Sequence, residues 1–298
     1  MRVFFPACLE RPSRRAKEPT MRDAELREVL VGTLRRTGAL RTARVAAAFA
    51  AVPRHRFMPG TPLPDAYADR AIAIKTRDEE ILSSISQPGM IAQMLELLAP
   101  AAGDRVLEIG TGSGYNAALL AELVGSRGSV TTVELEAELA ARAGDTLAEL
   151  GYRNVRVVVA DGSSSSLGRG PYDRVVVTAR TEDIPSAWWD ALRDGARLVV
   201  PLRLPSAGEY AIGFERRDGR LVSVGACPCA FIAIRGEAGS ATDGDVFYRD
   251  PAARNQAACL RRVAGVVAVR REDAAPELLN EADVVIARPT TVFAVSFD

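Results

Sequence analysis

At 298 residues, with 38 basic side chains against 38 acidic ones, the chain is long enough for about two domains and carries no formal net charge. Hydrophobic residues at 48% and charged residues at 26% are the proportions of an ordinary globule, which excludes a disordered or fibrous chain. Electroneutrality argues against a nucleic-acid partner held by bulk charge, and no apolar run approaches the ~20 residues that cross a bilayer, so neither nucleic acid nor membrane is an expected partner.

Residues 1–20 hold five basic side chains and three prolines, and read as a flexible arm without the apolar core of a secretory signal. Met21 opens a better helical sequence and is an alternative start. With no export signal and only four scattered cysteines (Cys8, Cys227, Cys229, Cys259), the expected compartment is the cytoplasm. The lone histidine, His55, leaves no ligand set for a metal and reads as a surface or packing residue.

Residues 21–103 form a helical region that borders the substrate groove. Apolar spacing predicts two helices between residues 23 and 51, broken near Thr37-Gly38, and an open stretch through Pro59, Pro62 and Pro64. A further helix is expected over 90–98, with Ser86 or a neighbour as its cap. From 104 to 235 strands and helices alternate: strands at 105–109, 129–134, 155–160, 174–178 and 197–201, helices at 115–123, 136–150 and 185–192. That alternation means an α/β fold with a doubly wound, mostly parallel sheet. Two runs around Asp218-Gly219 then read as an antiparallel hairpin. Residues 236–298 form a C-terminal extension, with a helix near 252–263 and strands near 266–270, 284–287 and 292–296.

The informative stretch is Val-Leu-Glu-Ile-Gly-Thr-Gly-Ser-Gly-Tyr, residues 106–115. A buried strand runs into a glycine-rich turn and a helix, which lets backbone amides approach a cofactor closely. Gly110, Gly112 and Gly114 differ from the dinucleotide fingerprint, whose third glycine would fall at Tyr115; a nicotinamide cofactor is the competing reading. Glu108 before the first glycine matches the pattern of S-adenosylmethionine (SAM) methyltransferases, where the acid stands near the methionine end of the cofactor. Glu134 closes the next strand, where a carboxylate accepts from ribose hydroxyls, and Asp161-Gly162 follows the third strand at the adenine edge. Thr111 in the turn and Leu135 after Glu134 complete the expected SAM-binding set.

These features, together with Val52 to Pro59 (VPRHRFMP), Ala66-Tyr67-Ala68-Asp69 and Ser84-Ile85-Ser86-Gln87-Pro88, resemble the protein-L-isoaspartate O-methyltransferase family over roughly residues 27–236. The resemblance implies a Rossmann-like SAM methyltransferase fold, with Ser86 as the active-site hydroxyl beside the substrate carboxylate. Ser84 takes the place of the family's usual threonine, and both serines are expected to be catalytic. Tyr67, Asp69, Ser83 and Gln87 are expected to contact a peptide or protein bearing aspartate or isoaspartate, bound by a monomer. Two departures stand out: the charged run at residues 74–83, where the family has a short glycine-rich link, and the extension. Both resemble an offshoot that esterifies one aspartate of a ribosomally made precursor peptide, leading to aspartimide and sometimes isoaspartate. That tailoring role is the leading expectation, repair of isoaspartyl proteins the alternative, and a non-catalytic peptide-binding module the reading from another class.

Overall fold

The computed structural model describes residues 22–164, 167, 170–204, 208–240, 245–248, 263–274, 284–287 and 291–297. The expected arm and alternative start lie outside these residues, as does the helix near 252–263 except for Val263, which opens a strand. The N-terminal region folds as α1 (Asp23–Arg36), α2 (Ala43–Ala51), a 3-10 turn (Arg54–Phe57), α3 (Leu63–Ala66), β1 (Ile72–Arg77), β2 (Glu80–Ile85) and α4 (Pro88–Leu98). β1 and β2 are an antiparallel hairpin turning at Asp78-Glu79. It is the charged insertion, for which no element was expected.

α4 is amphipathic at helical spacing: Ile91, Ala92, Met94, Leu95 and Leu98 are all buried in the core. Its cap is the neighbour of Ser86 that the expectation allowed. Gln87 occupies the cap position with no side-chain bond, and Asp69 reaches across to accept from Gly89 N at 2.7 Å. Ser86 is left free for other work.

The alternating part forms β3 (Arg105–Ile109), α5 (Tyr115–Val124), β4 (Ser129–Glu134), α6 (Ala137–Glu149), β5 (Val155–Val159), β6 (Tyr172–Val177), α7 (Ser186–Ala191) and β7 (Leu192–Leu204). β8 (Gly208–Arg217) and β9 (Arg220–Pro228) are the expected hairpin around Asp218-Gly219. β7 runs past its expected 197–201 at both ends because Leu192 pairs with Tyr172 of β6 and its far end pairs with β8 through to Leu204–Gly208. β10 (Asp245–Tyr248), β11 (Val263–Arg270), β12 (Val284–Ala287) and β13 (Thr291–Phe297) follow.

Among the described residues, one eleven-stranded sheet holds all but the first hairpin, in the order β10-β12-β13-β11-β9-β8-β7-β6-β3-β4-β5. β7, β6, β3, β4 and β5 are parallel, and every pairing beyond β7 is antiparallel. The extension therefore continues the main sheet. Its Val266, Ala268 and Phe293 are buried with Trp188, Trp189, Phe214 and Leu221 in one core cluster. Both tryptophans are fully buried and pack α7 onto the sheet. Trp189 Nε1 donates to Thr291 Oγ1 (3.3 Å) and Trp188 Nε1 to the Gly162 carbonyl (2.7 Å). Among the described residues, no helix is long and apolar enough to cross a membrane.

Candidate active site

At the C-terminal ends of β3 and β4 the sheet opens into a cavity of about 580 Å³, where open parallel sheets bind ligands. Its floor is the turn after β3. Gly110, Gly112 and Gly114 all have positive φ, at 99°, 53° and 88°. Gly110 is required on steric grounds, because a Cβ there would stand 2.4 Å from Thr178 Oγ1. That hydroxyl instead bonds the Gly110 carbonyl at 2.7 Å. Glu134 braces the turn from the next strand, accepting from Gly112 N (2.9 Å) and Glu136 N (3.1 Å).

Glu108 is fully buried on the cavity wall. Asn116 Nδ2 (2.8 Å) and Thr132 Oγ1 (2.7 Å) donate to its two oxygens. Thr132 spends its proton on ionised Glu108, so Thr111, whose hydroxyl lies 2.7 Å away, donates to Thr132. Burial pushes the Glu108 carboxyl up to about 7, against the opposing pull of those hydrogen bonds.

Two further walls face each other across the opening. Residues 81–86 all border the cavity, and so do residues 230–235. A strand lining a space by its face would contribute every second residue, so β2 stands edge-on. The 230–235 segment is tied to Arg180, whose N donates to the Ile232 carbonyl (2.9 Å) and whose carbonyl accepts from Ile234 N (2.7 Å). A charged clasp joins the walls. Lys75 Nζ lies 2.8 Å from one Glu136 oxygen, and Arg235 binds the other. Hydrogen bonds from Lys75 and then Arg235 hold the Glu136 carboxyl down to about 2.

Most of the expected residues meet here: Glu108, Gly110, Thr111, Gly112, Glu134, Leu135 and Gly162 on one side, Ser83, Ser84, Ser86 and Gln87 on the other. The Ser86 hydroxyl has no protein partner among the described residues, while its carbonyl accepts from Arg54 Nη2 at 3.1 Å. Four expected residues lie behind the walls. Tyr67 is buried, with its hydroxyl 2.9 Å from His55 Nδ1, and Asp69 is the cap of α4. Gly114 starts α5 and backs onto Ala143 and Leu147. Asp161 accepts from Ser163 Oγ (2.6 Å), Glu237 N (2.8 Å) and Ser163 N (2.8 Å); burial would raise its carboxyl, but these bonds hold it below the ordinary range. Sequence reasoning missed Asn116, Thr132, Thr178 and the 230–235 segment. Asn116 carries a readable signal, a polar residue one position into the helix after the glycine turn; the others are set by strand pairing alone.

The chain matches the family model described as protein-L-isoaspartate(D-aspartate) O-methyltransferase over residues 25–239. It belongs to that family. The protein-L-isoaspartate O-methyltransferase of Methanopyrus kandleri is 40% identical over 214 residues, 72% of this chain and 92% of that one. The enzyme of the same name from Aeropyrum pernix is 39% identical over 76% of this chain and 86% of its own. A solved protein-L-isoaspartate O-methyltransferase superposes with a TM-score of 0.66 at 28% identity, covering 91% of this chain and 88% of that chain. A Plasmodium falciparum structure, titled as a complex with S-adenosyl-L-homocysteine, shares the fold at 18% identity and a TM-score of 0.61, over 70% of this chain and 98% of its own.

This methyltransferase thus has the Rossmann-like SAM-dependent fold, and its cofactor is SAM. The cavity fits that group. Leu135, 41% exposed at its rim beside Glu134, is an apolar surface of the kind an adenine ring covers. A superposition reaching 91% of the chain also runs into the extension, which residues 25–239 do not include. The extension thus has a counterpart in a structure named as a protein-L-isoaspartate O-methyltransferase.

Proposed function

We propose that the enzyme methyl-esterifies the free carboxylate of isoaspartyl residues in proteins, the repair reaction. The observation that carries this reading is that a relative named for isoaspartate matches over 92% of its own length and 72% of this chain. Ser84, Ile85, Ser86 and Gln87 line the same cavity as the glycine turn, with the Ser84 carbonyl close beside Gly112.

SAM supplies a methyl group on a positively charged sulfur, which a carboxylate oxygen accepts. Glu134 would hold the ribose hydroxyls, Leu135 and Gly162 the adenine, and the turn from Gly110 to Gly112, beside Glu108, the amino-acid end. A carboxylate is ionised at neutral pH, so no side chain has to remove a proton. Ser86 donates its hydroxyl hydrogen to one carboxylate oxygen and so aims the other. Ile81, Phe231 and Ile232 line the opening with apolar surface that excludes water.

One observation favours the tailoring reading. The β1–β2 hairpin brings Lys75, Arg77, Asp78, Glu79 and Glu80 beside the cavity, a charged surface suited to a dedicated precursor peptide. In that case an ordinary aspartate is esterified, and the following amide attacks the ester to give aspartimide. Incubation with methyl-labelled SAM and paired isoaspartyl and aspartyl peptides separates the two. Repair predicts label in the isoaspartyl peptide alone; label restricted to an aspartate of one precursor would replace it with tailoring.

A further inference from the structure

Arg54 is the first residue of the 3-10 turn and is fully buried. Its Nε donates to the Ala66 carbonyl (2.9 Å) and its Nη2 to the carbonyls of Ser86 (3.1 Å) and Arg70 (3.4 Å). The guanidinium carbon lies 4.9 Å from the centre of the Tyr115 ring. Yet Arg54 Nη1 and the Tyr115 hydroxyl are both buried with no hydrogen-bond partner. No carboxylate of the described residues forms an ion pair with Arg54: after burial, the group acting on it most is the Tyr115 phenol, then Asp69, which is engaged as the cap of α4.

An unpaired buried guanidinium is costly, and neutral carbonyls offset only part of that cost. Its anion is missing from the protein, while the wall it supports is the one meant to receive an anion: Ser86 and Tyr115 both border the cavity. We propose that Arg54 is a positioning residue for the substrate carboxylate, clamping Ser86 through its carbonyl and holding a positive charge behind the hydroxyl. Esterification removes the substrate's charge, so the same residue binds substrate more tightly than product and favours release. This inference rests on the reading of Ser86 as the carboxylate's donor.

The test compares binding of an isoaspartyl hexapeptide and its isoasparaginyl counterpart to the enzyme loaded with S-adenosylhomocysteine. The wild type is expected to prefer the carboxylate about tenfold or more, the scale of a charge-assisted contact. Arg54→Met should bring the two peptides within about twofold while S-adenosylhomocysteine affinity holds, which a merely structural role would not do. Arg54→Lys, which keeps the charge but not the three-carbonyl fork, should retain the preference and lose kcat. Arg54→Met with both cofactor affinity and carboxylate preference intact overturns the inference and leaves the function standing. A wild type that methylates no aspartyl peptide overturns both. Should Arg54→Met fail to fold, a 13C-labelled carboxyl on the peptide bound to wild-type enzyme must titrate below its free value; an unchanged or raised value overturns the inference.

Discussion

Ser86 and Glu108 define the residue scale, the first by a hydroxyl without a protein partner among the described residues and the second by a buried carboxyl with two donors. A free hydroxyl on the cavity wall that only aims its substrate contributes about one or two powers of ten in rate. Ser86→Ala should therefore lower kcat about tenfold to a hundredfold with S-adenosylhomocysteine affinity nearly unchanged, as equilibrium binding and labelled turnover will show. Full activity in that variant would remove Ser86 from the chemistry. Glu108 makes a pH prediction. Its folded value of about 7 lies above the ordinary 4.5, so between those values the native state holds a proton that the unfolded chain has released. Stability from this group is complete below about pH 4.5 and is lost as pH rises towards 7, by about 3 kcal/mol. Glu108→Gln in the cofactor-free enzyme should flatten that limb of the stability curve and be the more stable form at pH 8. Parallel urea titrations at pH 5 and pH 8 check this, and equal slopes for both proteins would refute it. Tyr67, Asp69 and Arg54 show why residue roles were only partly legible. A tyrosine, an acid and a cation in a proline-rich loop look alike whether they face a groove or support it, because burial follows from which segments close over them.

The elements were readable in proportion to how locally they are determined. β3 and β4 match their expected bounds because each is a short apolar run closed by a turn residue or an acid. The β1–β2 hairpin escaped notice because its turn is Asp78-Glu79, both at positive φ (48° and 68°). Asn-Gly or Asp-Gly would have announced such a turn. The hairpin is tied to the rest of the cavity through Lys75, Glu136 and Arg235, so the charge of Glu136 serves two walls at once. Glu136→Gln should speed S-adenosylhomocysteine release roughly fivefold at low salt, with wild type approaching the variant as ionic strength rises. Stopped-flow dissociation measures it; a rate indifferent to both substitution and salt would mean that the clasp does not hold the cavity shut.

At the scale of the whole molecule, the α/β class, the parallel half of the sheet and the glycine-turn site were all legible. The fate of the extension was not: strands near 266–270, 284–287 and 292–296 could be named, but their partners lie far away in sequence, and nothing local states that β11 pairs with β9. The pairing alters what the extension is for. Phe293 is 1% exposed among the same side chains that bury α7. Phe293→Ala should thus cost about 3–5 kcal/mol of stability in urea unfolding. A loss below about 1 kcal/mol would show that these strands are not part of the core.

The chain has only two tryptophans, and one of them, Trp188, bonds the carbonyl of Gly162, a residue of the cofactor wall. An indole so placed is a built-in optical gauge. Filling the adenine end of the chamber changes the field around that N–H, and intrinsic emission should report occupancy without any dye. Trp188→Phe would silence the signal while Trp189, bonded to Thr291, continued to glow.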